Sequence, residues 1–577
     1  MFEPITVLRK TLSLCPECGG ETITAVANGQ SPALLRDHAG VIEAEIVESG
    51  GQVFMRKRCN HHGEFADLLA SDAAFHKRME SLAVPLEREY RPDEPLHDHG
   101  VLSVQYGTGT FIIFDLTNRC NMKCDPCYMD ANAGQDVHEL SPQDIHSILE
   151  RAAAVNNRRE VNILFSGGEP TVSPHFLDAL AYARQLGFKR LYAATNGVRF
   201  AQEADFAAKS KRAGLHGVFL QIDGTTEEAN AHRGIANFMD VKMAALEHIL
   251  AAGLQVTLQT AVINGVNTDQ VGPLLRFAVE KSLFGVIFQP IMFAGRDRSI
   301  TPEVRHLRRY TLSHLAHDLA GQVAWDWQPL RDWFPMSVFS AFGYLSDRLR
   351  GDEKSMVCTA APSSAVGSPL VVNVKTGVVR PLASFFDIEG FLGDLRRIID
   401  QDLDRFGLMA AVHRAIDSRF DSASAPAGYT SANLDQLHAQ SMARVNSSID
   451  GWTERAYEFG DWRLLFVLGM WFQDLFNIDL QSVRSSTTVV ATEEGEISFC
   501  AYNSTGWREA VERMHRTATL TEWHRQHGRH EIFAGGKIVP IDGLAGVLSQ
   551  ASAKRILAHS DRSDFTTTPL VGKTGRR

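Results

Sequence analysis

Three cysteines on one short loop, directly after an apolar strand-like segment, constrain this chain more than any other feature. Cys120, Cys124 and Cys127 follow the stretch 111–116, whose residues are Phe-Ile-Ile-Phe-Asp-Leu. An iron–sulfur cubane is normally held by four thiolates. Three thiolates on one loop therefore predict a [4Fe–4S] cluster that is held at three corners, with one iron left without a protein ligand. A zinc knuckle, or a few buried cysteines, is the alternative.

A Gly-Gly-Glu turn follows the next apolar segment, one candidate helix later. Gly167, Gly168 and Glu169 come directly after the strand-like stretch 161–166. Two glycines let backbone groups approach a ligand closely, and a glutamate can accept a hydrogen bond from a ligand ammonium. An ordinary strand-to-helix turn is the alternative. The position of the turn, one strand after the cysteine loop, favours ligand binding.

The spacing C-x3-C-x2-C, followed by Gly-Gly-Glu, resembles the signature of the radical S-adenosylmethionine (SAM) superfamily. The resemblance implies that SAM chelates the open iron through its amino and carboxylate groups, and that residues 167–169 hold its amino group. It also implies reductive cleavage of SAM to methionine and a 5′-deoxyadenosyl radical, which removes a hydrogen atom from an unactivated substrate carbon. An external low-potential donor of the ferredoxin or flavodoxin type would supply the electron.

Apolar strands alternate with amphipathic helical stretches through the middle of the chain. Six strands are predicted, at 111–116, 161–166, 191–197, 217–224, 254–265 and 284–290. This rhythm is typical of parallel βα units, and the resemblance implies an α/β fold with a partial (β/α)6 barrel. Ligand-binding residues collect at the carboxyl ends of barrel strands. The candidates there are Asn196, Gln221 and Asp223, with Thr260 and Asn264 as further ones; strand-end capping is the alternative for each.

A second group of cysteines lies near the beginning of the sequence. Cys15 and Cys18 form a C-x2-C pair, and Cys59 and His62 supply two further donors later in the sequence. Four such donors can close a tetrahedral metal site, and His61 is an alternative to His62. Zinc is the expected metal, although mononuclear iron in a rubredoxin-like setting also fits these residue types. A structural metal that stabilises a small domain is favoured over a metal that relays electrons. A site without any metal is the third interpretation.

Segments near both ends of the sequence indicate which branch of the superfamily the chain resembles. The stretches 11–18, 54–65, 471–479 and 497–503, and less specifically 381–391, resemble a branch with archaeal tetraether lipid synthases and 7,8-dihydro-6-hydroxymethylpterin dimethyltransferase-like proteins. Members of that branch carry further cysteines that build auxiliary clusters. Here only Cys358 and Cys500 lie outside the two groups. Two buried thiols are therefore favoured over an auxiliary cluster.

The resemblance implies an enzyme, a transferase or carbon–carbon bond-forming catalyst, that acts on an unactivated C–H of a lipid or other small molecule. One alternative is a radical methylase of a pterin-like heterocycle. Another is a non-catalytic iron–sulfur protein for electron transfer or scaffolding. A lipid substrate predicts a long apolar tunnel, whereas a small polar substrate predicts convergent hydrogen-bond donors and acceptors.

Composition and length set the remaining expectations. The net charge of −10 argues against general nucleic-acid binding. The sequence contains neither an apolar stretch of membrane-spanning length nor a signal-peptide pattern, so we expect a cytoplasmic protein. We divide the chain into a zinc-ribbon or rubredoxin-like knuckle (1–98), the barrel (99–310), an α+β substrate-pocket domain (311–562) and a disordered tail (563–577).

Two apolar regions of the C-terminal half carry structural predictions. The run 464–472 is expected to form a buried core helix. The aromatic-rich stretch 325–342 is expected either to line an apolar cavity for a lipid tail or to fill a domain core.

Overall fold

A computed structural model of the chain describes residues 5–37, 40–83, 98–107, 111–132, 136–156, 160–352, 354–355, 357–437, 458–528, 541 and 544. The predicted disordered tail lies outside these residues. The strands are β1 (Thr6–Leu14), β2 (Val41–Ser49), β3 (Gln52–Cys59), β4 (Gly63–Ala70), β5 (Phe111–Asp115), β6 (Asp136–Val137), β7 (Asn162–Ser166), β8 (Arg190–Thr195), β9 (Gly217–Gln221), β10 (Gln255–Val262), β11 (Gly285–Pro290), β12 (Phe334–Pro335), β13 (Ala365–Asn373), β14 (Val379–Pro381), β15 (Glu458–Phe459), β16 (Trp462–Met470), β17 (Thr488–Thr492), β18 (Gly495–Ser498) and β19 (Ala518–Thr519).

The helices connect these strands or cover their faces. They are α1 (Pro16–Ala27), α2 (Ala33–Asp37), α3 (Ala73–Leu82), α4 (Pro142–Asn156), α5 (Phe176–Gln185), α6 (Val198–Gln202), α7 (Phe206–Ala213), α8 (Phe238–Ala251), α9 (Val271–Glu280), α10 (Pro302–Arg308), α11 (Leu312–Gln322), α12 (Pro329–Asp332), α13 (Ser340–Arg350), α14 (Ile388–Ile399), α15 (Arg405–Arg419), α16 (Leu480–Arg484), α17 (Phe499–Ser504), α18 (Trp507–Met514) and α19 (Leu520–His527). No helix in the part of the chain described here has both the length and the apolar character to cross a membrane.

The N-terminal region is a four-stranded antiparallel sheet in the order β1-β2-β3-β4. Its buried face is small, and Ala44, Ile46, Val53 and Met55 form most of it. Helix α1 starts directly after Cys15, with Pro16 at its first position, where the missing N–H costs nothing. The C-x2-C pair therefore lies where β1 gives way to α1.

The barrel is built from six adjacent parallel strands in the order β5-β7-β8-β9-β10-β11. These are the six strands that the alternating pattern predicts, and the partial-barrel fold class is confirmed. Every second side chain of each strand, among them Phe114, Phe165, Leu220 and Leu258, packs into the main core beneath the helices. Parallel sheets need such cover on the outer face.

Strands from the C-terminal half extend this sheet at both edges. Strand β16 pairs in parallel with β11, and β17 pairs in parallel with β5. Beyond them, β13 and β18 run antiparallel to β16 and β17. The barrel strands and the C-terminal strands thus share one continuous sheet, and segments 472–479 and 499–511 pack with the inner face.

The predicted core helix at 464–472 is wrong, because most of this run is strand β16. One set of its side chains, including Leu465 and Val467, enters the main core, and Leu464 enters a second core formed with α13, α14 and α15. A strand that is covered on both faces has no alternation to reveal it, so a short apolar run does not distinguish strand from helix.

The aromatic-rich stretch 325–342 fills these cores. Trp327 and Trp333 are buried and stack with ring centroids 5.5 Å apart. Phe334 is buried in the second core, with Phe339 packed against it. Of the two roles predicted for this stretch, the structure shows the domain core.

Candidate active site and metal centre

The cysteine loop follows β5 and is fixed by side chains outside the three cysteines. The Asn132 amide clamps Cys120: its oxygen accepts from the Cys120 N–H at 3.2 Å, and its nitrogen donates to the Cys120 carbonyl oxygen at 3.0 Å. Arg296 donates to the Cys124 carbonyl oxygen and to Asp130 Oδ1, the latter at 2.8 Å. The backbone path that carries the thiols is therefore set by the fold around it.

The three thiols lie within electrostatic reach of one another. Burial raises the pKa of Cys120 well above its usual range, and the Cys124 and Cys127 thiols raise it further. Burial also raises the pKa of Cys124, and Arg233 partly offsets that effect. Cys120 is buried, and Cys124 and Cys127 are half-buried. A bound metal centre favours the thiolate form of its cysteine ligands. This donor set fits an iron–sulfur cluster, which thiolates bind.

The two other cysteines have hydrogen-bond partners outside this loop. Cys358 Sγ accepts a hydrogen bond from Thr487 Oγ1 at 3.9 Å, and Cys500 Sγ accepts from the Gln473 N–H at 3.3 Å. Burial raises the pKa of both thiols. Among the described residues, neither belongs to a compact group of metal ligands.

The Gly-Gly pair lets the end of β7 pass against the cysteine loop. A Cβ at Gly167 would lie 2.3 Å from the Thr117 carbonyl oxygen, and one at Gly168 would lie 2.2 Å from that of Arg119. The Gly168 N–H donates to the Thr117 oxygen at 2.9 Å. Gly167 also has a φ of 124°, which favours glycine. The close approach that these glycines permit is to the backbone just before Cys120.

The Glu169 carboxylate joins the ends of β7 and β8. Its Oε1 accepts from the hydroxyls of Thr171 (2.6 Å) and Thr195 (2.8 Å), and its Oε2 accepts from the Asn196 N–H at 2.7 Å. Burial raises the pKa of Glu169, and these hydrogen bonds counter that effect. Because Oε2 holds one of these donors, it keeps capacity for a second.

A buried charge cluster stands at the end of β9. Asp223 Oδ1 accepts from the Ala261 N–H at 2.8 Å, while Oδ2 pairs with Arg233 and with His232 Nε2 at 3.0 Å. Burial disfavours the Asp223 carboxylate, but the charges of Arg233 and His232 outweigh burial and hold its pKa well below its usual range. Gln221 completes the cluster, because its amide oxygen, turned toward Arg233, accepts at 2.7 and 2.8 Å.

Two cations of this site were not predicted from the sequence. Arg233 is buried between Asp223 and the Cys124 thiol. Lys242 on α8 is fully buried and donates to the Asn196 carbonyl oxygen, and burial lowers its pKa to about 7. The signal for Lys242 is its place on the apolar stripe of α8, where a lysine needs a buried partner. Arg233 is harder to predict from the sequence, because it lies outside the strands, beyond the end of β9.

Other strand-end candidates have structural partners. Asn196 donates to Asn121 Oδ1 at 2.7 Å and lies 3.9 Å from Cys120 Sγ. Thr260 donates to the Ile222 carbonyl oxygen at 2.7 Å. Asn264 donates to the Leu307 carbonyl oxygen at 2.9 Å. Asn196 is therefore the one of these three side chains that reaches the cysteine loop.

The N-terminal knuckle brings together Cys15, Cys18, Cys59 and His62, whose donor atoms all lie within 4.8 Å of one another. His62 Nδ1 is 3.6, 3.4 and 3.7 Å from the three sulfurs, and the Cys18 and Cys59 sulfurs are 3.9 Å apart. Tetrahedral zinc with bonds of about 2.0–2.3 Å places its ligand atoms roughly 3.5–3.8 Å apart. The donor set fits zinc, and it also fits iron; His62, rather than His61, completes it.

The knuckle rests on segment 473–479. A Cβ at Gly19 would lie 2.9 Å from Leu475, and the buried Lys57 donates to the Leu475 carbonyl oxygen at 2.8 Å. Ser13 Oγ donates to the Ile478 carbonyl oxygen at 2.5 Å. Because Leu475 and Ile478 pack with the inner face of the barrel, the knuckle is joined to the barrel through this segment.

Comparison with known proteins agrees with this construction. Residues 114–278 match the radical SAM superfamily, and residues 7–71 match the HMPTM N-terminal zinc ribbon domain. The chain is therefore an enzyme built on a radical SAM domain, the class that uses a [4Fe–4S] cluster and SAM. It joins this domain to an N-terminal zinc ribbon.

Three similar proteins show how far the likeness extends. The chain is 27% identical over 541 residues to the 7,8-dihydro-6-hydroxymethylpterin dimethyltransferase of Methanocaldococcus jannaschii, covering 90% of this chain and 97% of that protein. It is 30% identical over 192 residues to the Fe-coproporphyrin III synthase of Methanosarcina barkeri, covering 33% and 46% of the two chains. The Escherichia coli coproporphyrinogen III oxidase structure covers 60% of this chain and 83% of its own, at 11% identity and a TM-score of 0.30.

Proposed function

We propose that this protein is a radical SAM methylase that acts at an unactivated carbon of a small, pterin-like heterocycle. The observation that carries the proposal is the single site formed by the three-thiol loop, the residues 167–169 and the buried Asp223–Arg233 pair. The 27% identity to a pterin dimethyltransferase, which runs through both chains almost from end to end, supports the substrate class.

A lipid substrate, which the sequence also predicts, has less support. It calls for a long apolar tunnel. The aromatic stretch 325–342 that would line such a tunnel is packed into the cores, with Trp333 fully buried. The heterocycle is therefore the better proposal.

In this proposal Cys120, Cys124 and Cys127 hold the [4Fe–4S] cluster. When bound, the cluster would supply the electron for reductive cleavage of SAM to methionine and a 5′-deoxyadenosyl radical, which would remove the substrate hydrogen atom. Arg233 lies beside Cys124, and its guanidinium is suited to pair with the carboxylate of SAM. Glu169 Oε2, which holds one donor from the protein, has room for the amino group of SAM.

Other residues orient this machinery. The Asn196 amide nitrogen is 3.9 Å from Cys120 Sγ, and hydrogen bonds to cluster sulfurs tune the reduction potential. Lys242 holds the Asn196 carbonyl oxygen and so fixes the backbone that carries that amide. The buried positions of Asp223 and Lys242 keep water from the charged groups around SAM.

The proposal also names a setting and a partner. An external low-potential donor of the ferredoxin or flavodoxin type would supply the electron. A cytoplasmic location fits the oxygen sensitivity of such a cluster and the eight free cysteines.

The test is SAM cleavage by anaerobically reconstituted protein with dithionite. Wild type should release 5′-deoxyadenosine, and Cys124→Ala should release none. Cys358→Ala is the matched control, since Cys358 lies away from the loop beside Thr487, and it should behave as wild type. Cleavage of SAM by the variant that lacks all three loop cysteines would overturn the proposal.

A further inference from the structure

The inner face of the barrel sheet is covered differently from the outer face. Along β9 and β10 the outward side chains, such as Leu220 and Leu258, are fully buried beneath helices. The inward side chains alternate with them and are only half-buried: Phe219, Gln221 and Gln259. We call this half-buried part of the inner face the chamber; lower down, Phe219 packs against the core that segments 472–479 and 499–511 help to form.

Three glutamines form one layer of this chamber on adjacent strands. Gln221 on β9 is paired in register with Gln259 on β10, and Gln289 follows on β11 opposite Ala261. Gln259 Nε2 donates to Gln289 Oε1 at 2.8 Å. Gln221 bonds Arg233, which in turn lies beside Cys124. The layer thus runs from the cysteine loop into the chamber.

The amide layer presents an unused acceptor beside an unused donor. Within the described residues, Gln259 Oε1 and Gln289 Nε2 make no hydrogen bond. Amide side chains read the donor–acceptor edges of nucleobases with this combination of groups. Phe219 lies two residues before Gln221 on β9, at the preceding inward position. Its ring stacks on that of Tyr192, with centroids 5.4 Å apart and planes within 7°, and on that of Phe111, with centroids 6.2 Å apart. An aromatic floor thus lies below the amide layer.

We propose that Gln259 and Gln289 bind the lactam edge of the substrate, its adjacent N–H and C=O, so that the ring lies above Phe219. The ligand class is a planar nitrogen heterocycle with such an edge. An alkyl chain is disfavoured, because it would offer no partner to Gln259 Oε1 or to Gln289 Nε2. The inference rests on the proposed function, since it assigns the substrate of the same radical site. It adds residues and a hydrogen-bond pattern that the radical SAM signature does not specify.

The experiment measures binding of 6-hydroxymethylpterin to the reconstituted, SAM-loaded protein under anaerobic conditions, by quenching of pterin fluorescence. The variants are Gln259→Leu and Gln289→Leu, which keep side-chain size and remove the amide. The control is Gln185→Leu, on the exposed end of α5. Each chamber variant should bind the pterin roughly tenfold more weakly, as expected for one lost hydrogen bond, and the control should bind as wild type does.

A second ligand tests the edge itself. Unsubstituted pteridine has neither the N–H nor the C=O of the lactam, so its affinity should be weak and should differ less than twofold between wild type and the two variants. Equal binding of 6-hydroxymethylpterin by wild type and both variants would overturn the inference. Displacement of the pterin by a dialkylglycerol phosphate, with affinity unchanged in the variants, would also overturn it and would favour a lipid.

Release of 5′-deoxyadenosine in the absence of substrate separates this inference from the proposed function. If each chamber variant keeps the iron content and the circular dichroism spectrum of wild type, a change in pterin affinity is assigned to the amides alone. If wild type itself cleaves no SAM, the proposed function fails, while the binding data still decide the ligand class.

Discussion

The knuckle and the cysteine loop use the same ligand type in opposite ways. In the knuckle, four donors already lie within 4.8 Å of one another and close a tetrahedron. In the loop, three thiols are predicted to hold a cluster, and the charges of Glu169, Asp223 and Arg233 act on the pKa values of Cys120 and Cys124. A closed ligand set is typical of a structural metal, and an incomplete set of a catalytic one. The number of donors therefore predicts a structural role for the knuckle and a catalytic role for the loop.

Removal of the knuckle metal should have the largest effect on stability. We expect Cys59→Ser, or treatment with a strong chelator, to unfold the N-terminal sheet, because structural zinc contributes about 10 kcal/mol or more to such small domains. Segment 473–479 should lose protection in hydrogen–deuterium exchange, since Ser13 and Lys57 hold its carbonyl oxygens. His61→Ala is the control, and a fully protected segment in Cys59→Ser would contradict the closed structural site.

Replacement of Arg233 by methionine should have the second-largest effect on stability. The change leaves the Asp223 carboxylate buried without its main counter-charge, at a cost of about 3–5 kcal/mol in the free energy of unfolding. Urea denaturation checks this. The double variant Arg233→Met/Asp223→Asn should recover most of the stability but not the affinity for SAM measured by equilibrium dialysis. Recovery of both would show that Arg233 serves only the fold.

Gly168→Ala should act on the loop alone. Its Cβ would lie 2.2 Å from the Arg119 carbonyl oxygen, so the backbone before Cys120 must move. We expect about 1–3 kcal/mol of destabilisation and reduced iron content after reconstitution, with the knuckle metal retained at wild-type stoichiometry. Gly20→Ala, where a Cβ meets no atom within 4 Å, is the matched control. Normal iron content in Gly168→Ala would show that the loop tolerates the shift.

The smallest expected effect is a pH dependence of the free energy of unfolding, caused by His138. Burial opposes protonation of His138, but its hydrogen bond to Glu493 at 2.7 Å outweighs burial and raises the His138 pKa. A raised folded pKa contributes stability that is fully present below the unfolded value, about 6.5, and is lost as pH rises through the folded value. We expect the free energy of unfolding, measured by urea denaturation at a series of pH values, to fall by about 1 kcal/mol or less over that range. This fall should be absent in His138→Asn. If the free energy of unfolding of the variant depends on pH as it does in wild type, the His138–Glu493 pair is not the cause.

The sequence predicted those parts of the molecule that depend on local pattern. The cysteine spacing, the Gly-Gly pair and the six alternating strands are local signals, and the fold class that they indicate is confirmed. Their assignment as cofactor ligands stays a prediction. Strand β16 was predicted as a helix, because an apolar run buried on both faces has no alternation.

Other features depend on tertiary neighbours that a local pattern does not encode. Arg233 gains its role from Asp223 and from Cys124, far away in sequence. Gln289 becomes part of an amide layer only through the pairing of β10 with β11. The addition of β16 and β17 to opposite edges of the barrel likewise arises from contacts between distant segments.

The pairing of β5 with β17 has a consequence for biosynthesis. Ile112 lies opposite Val489, so the strand that leads into the cysteine loop keeps an exposed edge until β17 has left the ribosome. Unpaired edges of this kind recruit other chains. A nascent or shortened polypeptide that ends before residue 488 should therefore aggregate rather than accept iron, and we expect insertion of the cofactor to follow synthesis of β17.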